Sequence, residues 1–323
     1  MVQKITRKKG SRGAKGVKPT SYTYAVPTQR QRSTLGGPSG GAYESVCAMT
    51  NPFCPQAKGS KIPDDDSANS IAYSVRNLFT VGTNAAGEAA VNIQARLDET
   101  FRVATAFAAT VPSTYGAWST VQEYTALNNA FSNVRVVSMG IRFYSTLAPT
   151  EQAGAIRFIT TSEPPAAGVT LLGGLFDGVD TFPVAGANIC WIARPQGTTW
   201  KEYHPLNTHL DYNSLAIMVY GAKASMPNAF TCEIVYNLEC TVDVGTITAA
   251  MSTAGAAHSP IAMSAASRTH AKHNGIHEGP SLMSKLAGFA KSALVDVASQ
   301  FLPGAMSYVF GPRKRPMSIM DVD

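Results

Sequence analysis

The first 43 residues contain no aspartate and no glutamate; the first acid is Glu44. A stretch without acids cannot neutralise its own charge. This one carries Lys4, Arg7, Lys8, Lys9, Arg12, Lys15, Lys18, Arg30 and Arg32 among Gly, Ser, Thr and Pro, with few aliphatic side chains. It buries too little apolar surface to offset the entropy of ordering, so a disordered basic arm is expected over residues 1–43. Charge is scarce elsewhere. Charged residues make up 15% of the chain, against roughly 25% in ordinary soluble domains, which suits a surface largely covered by neighbours. The net charge of +6 comes from 27 basic and 21 acidic residues. The arm's nine leave 18 basic against 21 acidic from Glu44 onward, a net −3. A cationic tail on a nearly neutral body calls for a polyanionic partner.

Cysteine is also scarce. Cys47, Cys54, Cys190, Cys232 and Cys240 are odd in number and form no C-x-x-C pair, which argues against the usual zinc and redox spacings. All five read as free thiols of a reducing compartment, with Cys232 and Cys240 as small core residues. No apolar run follows the N-terminal charges, so no secretory leader is expected. No uncharged apolar stretch reaches the roughly 18 residues that span a bilayer. No nucleophile motif, Gly-rich phosphate loop or metalloprotease signature occurs, so no enzyme is expected. His270, His273 and His277 have helical spacing, but Asn274-Gly275 interrupts it. A solvated linker fits them better than a zinc site. Trp118, Trp191 and Trp200 read as core or interface anchors.

What is present from residue 44 to 247 is a period of two. In FTCEIVYNLECTVDV, Phe230, Cys232, Ile234, Tyr236, Leu238, Cys240, Val242 and Val244 share one face. Thr231, Glu233, Asn237, Glu239, Thr241 and Asp243 share the other, the pattern of a half-buried antiparallel strand. VRVVSMGIRFYST repeats it through Val137, Met139, Ile141 and Phe143, and AAVNIQARLDE through Val91, Ile93, Ala95 and Leu97. SIAYSVRN, TFRVATAFA, GAIRFITT, ANICWIAR and SLAIMVYG complete about eight strands. Long helices do not interleave with them. The expected fold is therefore all-β, an eight-stranded antiparallel jelly-roll β-sandwich.

Residues 248–278 shift to Ala, Ser, Met and His and read as a linker. In the next stretch, 279–304, Leu282, Leu286, Phe289, Leu294, Val297 and Phe301 fall on one helical face. Pro280 suits the first turn and Pro303-Gly304 ends it. Lys285, Lys291 and Asp296 suit an amphipathic helix lying on an interface. Residues 305–323 form a tail with a basic run, Arg313 to Arg315.

A basic arm, an all-β body and a terminal amphipathic helix resemble the layout of a small icosahedral capsid subunit. The segment CAMTNPFCPQAKGSKIPDDDSANS, with Lys-Gly-x-Lys-Ile-Pro-Asp before the first strand, is similar to nodavirus capsid proteins, particularly those of insect nodaviruses. VRVVSMGIRFYSTLAPTEQAGAIRF, GGLFDGVDTF and AHSP resemble further family elements in the same order. The resemblance implies a coat protein of the virion, assembled in the host cytoplasm. It implies a self-assembling icosahedral shell, of triangulation number three by analogy. The arm would bind the viral genome, single-stranded RNA in that family. The terminal helix would lie inside the shell and be releasable onto host membranes.

Family members of insect viruses cut themselves after an asparagine before the C-terminal helix, using an aspartate beside the first strand. Asn274 lies in the matching region, but Thr50-Asn51-Pro52-Phe53 stands where the aspartate belongs. A neutral amide cannot serve as the acid/base. Asp64, Asp65 and Asp66 are substitutes in sequence terms, or simply a solvated turn. Asp177, with Asp180 nearby, matches a position that binds calcium at subunit contacts in the family. Asn129 stands at another ligand position, and a plain Asp-Gly turn explains Asp177 equally well. A cellular nucleic-acid-binding β-barrel with a basic tail is the alternative; it would interleave aromatic and basic residues on its strands.

Overall fold

The computed structural model describes residues 38–66, 68–108, 111–164, 181–242, 247–272 and 276–278. Residues 1–37, with all nine arm charges, lie outside them. So do Asp177, Asn274, the helix expected over 279–304 and the tail.

Among the described residues the alternating stretches form eleven strands. These are β1 (Ser70–Val81), β2 (Ala89–Ile93), β3 (Phe101–Ala108), β4 (Val111–Tyr115), β5 (Asn133–Ser145), β6 (Ala155–Thr161), β7 (Thr181–Pro183), β8 (Asn188–Ile192), β9 (Ser214–Tyr220), β10 (Phe230–Thr241) and β11 (Ile276–Glu278). Three helices accompany them: α1 (Pro38–Thr50), α2 (Tyr124–Ala130) and α3 (Pro260–Lys272). One sheet runs β1-β10-β5-β8-β11 and the other β4-β3-β2-β9-β6-β7.

The antiparallel pairs are nested. β1 pairs with β10, β2 with β9, β5 with β8 and β6 with β7. Nesting of this kind is one long hairpin rolled over on itself, an eight-stranded jelly roll. All eight stretches read as strands are strands, but they are not the roll's eight. TFRVATAFA forms β3 of an added edge hairpin with β4, and the three-residue β7 completes the roll instead.

The inner faces of the sheets meet in one apolar core. Phe143 stacks on Phe230 with centroids 5.1 Å apart and meets Phe158 edge-on at 6.1 Å. Buried aromatics with polar tips pin the layers. Tyr236 Oη donates to the Gln94 carbonyl at 2.9 Å, Tyr212 Oη to that of Val136 at 3.1 Å, and Trp191 Nε1 to Thr160 Oγ1 at 2.9 Å. Trp200 is also buried, against Tyr212. Cys232 and Cys240 are core residues, as expected.

Two boundaries differ from the sequence reading. Residues 38–43 belong to α1, where Ala42 and Tyr43 pack against the core, so the arm as read ran six residues too far. Residues 248–278 are more than a linker, because they hold α3 and β11. In α3, Ala262, Ala265 and Ala266 are fully buried, at spacings that put them on one face. Small residues let a helix pack closely without a strong apolar signature in the sequence. AHSP starts this helix. Ser259 is the N-cap, its Oγ accepting from the Ala262 amide at 3.3 Å, and Pro260 takes the first helical position.

Candidate functional site: a polar sheet face under a helical layer

A bulge organises the outer face of the first sheet. In the β5–β10 ladder Ser138 opposes Asn237 and Val136 opposes Leu238, which leaves Val137 between them without a partner in the register. Simple alternation aligned Val137 with Met139, Ile141 and Phe143. The extra residue switches the parity. Val134 and Val136 instead share the face of Cys240 and Leu238, and Arg135 stands outward opposite Glu239.

That outward face is not half-buried, as the sequence suggested. Arg135, Ser138, Asn237 and Glu239 are all at most 1% exposed. The correction has a clear cause: the segment from Asn51 to Asp64 covers the sheet and bonds to its polar groups. Asn237 Nδ2 donates to the Pro52 carbonyl and to Ser138 Oγ, both at 3.1 Å. The Ile62 amide donates to Glu239 Oε2 at 3.0 Å. Helices α1 and α3 pack on each other, and α1 reaches β5.

Beneath this cover lies an ion cluster. Arg135 Nε donates to Glu239 Oε2 at 3.0 Å, and Nη1 donates to Asp64 and to the Lys201 carbonyl. Its guanidinium lies 4.4 Å from the centre of the Tyr203 ring. Glu239 Oε1 accepts from Ser70 Oγ at 2.6 Å. Lys61 Nζ donates to the carbonyls of Ser70, Thr253 and Ala254 at 2.7–2.9 Å. Burial pushes the Lys61 ammonium down and the Glu239 carboxylate works against that shift. Burial also opposes the Arg135 charge, but Glu239 and Asp64 outweigh it and hold Arg135 above its usual value. The cluster ties the segment before β1 to β5, β10, Lys201 and the stretch before α3. It gives the K-G-x-K-I-P-D motif a structural reason: Lys61, Ile62 and Asp64 are the residues that clamp the cover.

Beside the cluster is an apolar plug. Phe53 packs with Cys190, Ile192 and Val235, and the Arg142 guanidinium caps its ring at 4.4 Å. Gly140 makes room for it. A Cβ on Gly140 would stand 2.5 Å from Pro52 Cγ and 2.8 Å from the Trp191 carbonyl oxygen. Gly140→Ala should therefore cost about 1–3 kcal/mol through overpacking. Urea unfolding checks this: the midpoint should fall with an unchanged slope.

The structure sorts the sequence-derived candidates. Asp64 is buried against Arg135 and is not part of a solvated turn. The turn reading holds for Asp66, whose Oδ1 accepts from the Ala68 amide at 2.9 Å. Asn51 is buried and its Oδ1 accepts from the Phe53 amide at 3.1 Å. Asn129 is an exposed residue of α2. His270 lies in α3 and His277 in β11, while His273 is outside the described residues. Among the described residues no group of three or more His, Cys, Asp or Glu could hold a metal ion. Among them, too, no helix is long and apolar enough to cross a membrane. Trp118 is half-buried, with the Arg102 guanidinium 4.5 Å from its ring and 4.8 Å from that of Tyr115. Sequence reading missed Arg135 and Glu239. Glu239 is a charge on a face assumed to be wet, and Arg135 is a charge at the parity assigned to the apolar face of β5.

No protein-family model matches the chain, and no curated protein matches it. Solved structures do. The chain in the crystal structure of the T13 infectious bursal disease virus particle superposes with a TM-score of 0.54 at 9% identity, over 81% of this chain and 99% of that one. The structure of the Gx strain of the same virus superposes at 0.50 and 9% identity, over 74% of this chain and 98% of that one. The shared feature is the fold; the first of those chains is from a viral particle.

Proposed function

We propose that this chain is the coat protein of a small icosahedral virus, similar to the nodavirus capsid subunits. It assembles with copies of itself into a closed shell, of triangulation number three in this reading. The basic arm holds the viral genome, single-stranded RNA, inside the virion. Assembly takes place in the host cytoplasm. The observation that carries the reading is the nested eight-strand roll covered on one sheet face by α1, α3 and the clamped 51–64 segment. The arm joins α1 in sequence, and α1 belongs to the helical layer on that covered face. In the shell that side faces the genome, and the flanks of the roll meet neighbouring subunits. The low charge of the body agrees with surfaces covered by copies of itself.

Electron microscopy and size-exclusion chromatography of the purified full chain test this. Closed particles of uniform diameter are expected. A variant lacking residues 2–37 should still form shells, but without nucleic acid. Discrete monomers in every buffer, for both proteins, would overturn the coat-protein reading. They would favour the tailed nucleic-acid binder instead.

A further inference from the structure

We propose that Cys47 and Cys54 form an oxidisable dithiol that closes an intrachain disulfide at the corner after α1. The proposal stands on the chain alone and does not depend on assembly. Cys47 is half-buried in the last turn of α1, and Cys54 is 3% exposed just beyond it. Their Sγ atoms are 2.7 Å apart, well inside the separation of two unbonded sulfurs and approaching the roughly 2.05 Å of a covalent bond.

The backbone sets this approach. The Asn51 amide donates to the Cys47 carbonyl at 2.9 Å, the Cys54 amide to the Asn51 carbonyl at 3.1 Å, and the Ala57 amide to the Cys54 carbonyl at 3.0 Å. Pro52 and Phe53, between the two cysteines, are held on the sheet face. A bond between the sulfurs would thus close an eight-residue loop whose path is already fixed.

The protons favour the chemistry. The hydrogen bond from the Cys47 thiol brings Cys54 down to about 7, against burial, and the same bond pushes Cys47 up. Near neutral pH the pair holds one proton between two sulfurs. By contrast, burial pushes Cys190, Cys232 and Cys240 up and keeps them as thiols.

The oxidant is a small disulfide such as oxidised glutathione. Cys54, the thiolate of the pair, attacks it, and one glutathione thiolate leaves. Cys47 then loses its proton to water and attacks the Cys54 sulfur of the mixed disulfide, expelling the second glutathione thiolate. Two electrons pass from the dithiol to the small disulfide, which ends as two thiols. The corner thereby responds to the redox poise of its compartment.

The test uses the full chain, equilibrated with glutathione buffers from fully reduced to fully oxidised. Acid quench, maleimide alkylation and peptide mass mapping then report each cysteine. In the oxidised buffer, the peptides holding Cys47 and Cys54 should be joined, unalkylated and lighter by two hydrogens. In Cys47→Ser or Cys54→Ser the remaining thiol of the pair should form no such intrachain bridge. The closure rate should rise through about pH 7 as Cys54 loses its proton. Both cysteines still alkylated in fully oxidised buffer would overturn the proposal. So would bridges from them to another cysteine or to another chain.

Discussion

Arg135→Met should destabilise the fold by about 3–5 kcal/mol, the cost of breaking a buried ion pair from one side. The Arg135 side chain is 1% exposed and stands between Asp64, 10% exposed, and Glu239, fully buried. Methionine fills much of the volume but leaves the two carboxylates without the guanidinium between them; Lys61, which Glu239 influences through its charge, has its Nζ spent on carbonyls. The penalty is that of stranded charge more than that of lost contact. A companion variant separates the two. Arg135→Met combined with Asp64→Asn and Glu239→Gln removes the charges together and should recover most of the loss, because neutral amides cost far less to bury. Urea unfolding of the three proteins gives the comparison. A single variant within about 0.5 kcal/mol of wild type, the range of ordinary surface changes, would show that the cluster does not hold the cover down.

Arg135 also marks where sequence reasoning reached its limit. The jelly roll was legible because apolar residues at every second position have one economical arrangement, two sheets face to face. β10 is the clearest case: every member of its inward set, Phe230 to Cys240, is buried. The same pattern misjudged β5, since alternation cannot register an inserted residue, and Val137 moves everything before it to the other face. The short β7 escaped because three residues containing a proline carry no period. Helix α3 escaped for a different reason: its buried face is alanine, which composition reads as flexible linker. At the site, the K-G-x-K-I-P-D motif was visible as a pattern, but its partners are far along the chain: Glu239 looked like a solvated charge, and simple alternation placed Arg135 with the apolar set of β5. The polar face of β10 is buried only because residues 51–64 return to cover it, a long-range event with no local signal.

The arm carries the other large expectation. Neutralising all nine of its cations should abolish most of the salt-dependent affinity of the chain for single-stranded RNA. Each phosphate contact on a single strand contributes about −0.7 to the slope of log affinity against log salt. Nine cations therefore predict a slope of roughly −6 for the native chain. Changing Arg7, Lys8 and Lys9 to glutamine should reduce its magnitude by about 2. Replacing all nine should bring it near zero. The body cannot compensate, since from Glu44 onward acids outnumber bases, 21 to 18. Fluorescence titrations of a labelled RNA between low and physiological salt measure the slope directly. The test should use several unrelated RNA sequences, because contacts to phosphate position the chain without reading bases. Similar slopes and affinities across them would place recognition in the arm's charge. A native slope near zero, or one that survives loss of all nine charges, would move RNA binding away from the arm and remove genome packaging from its role.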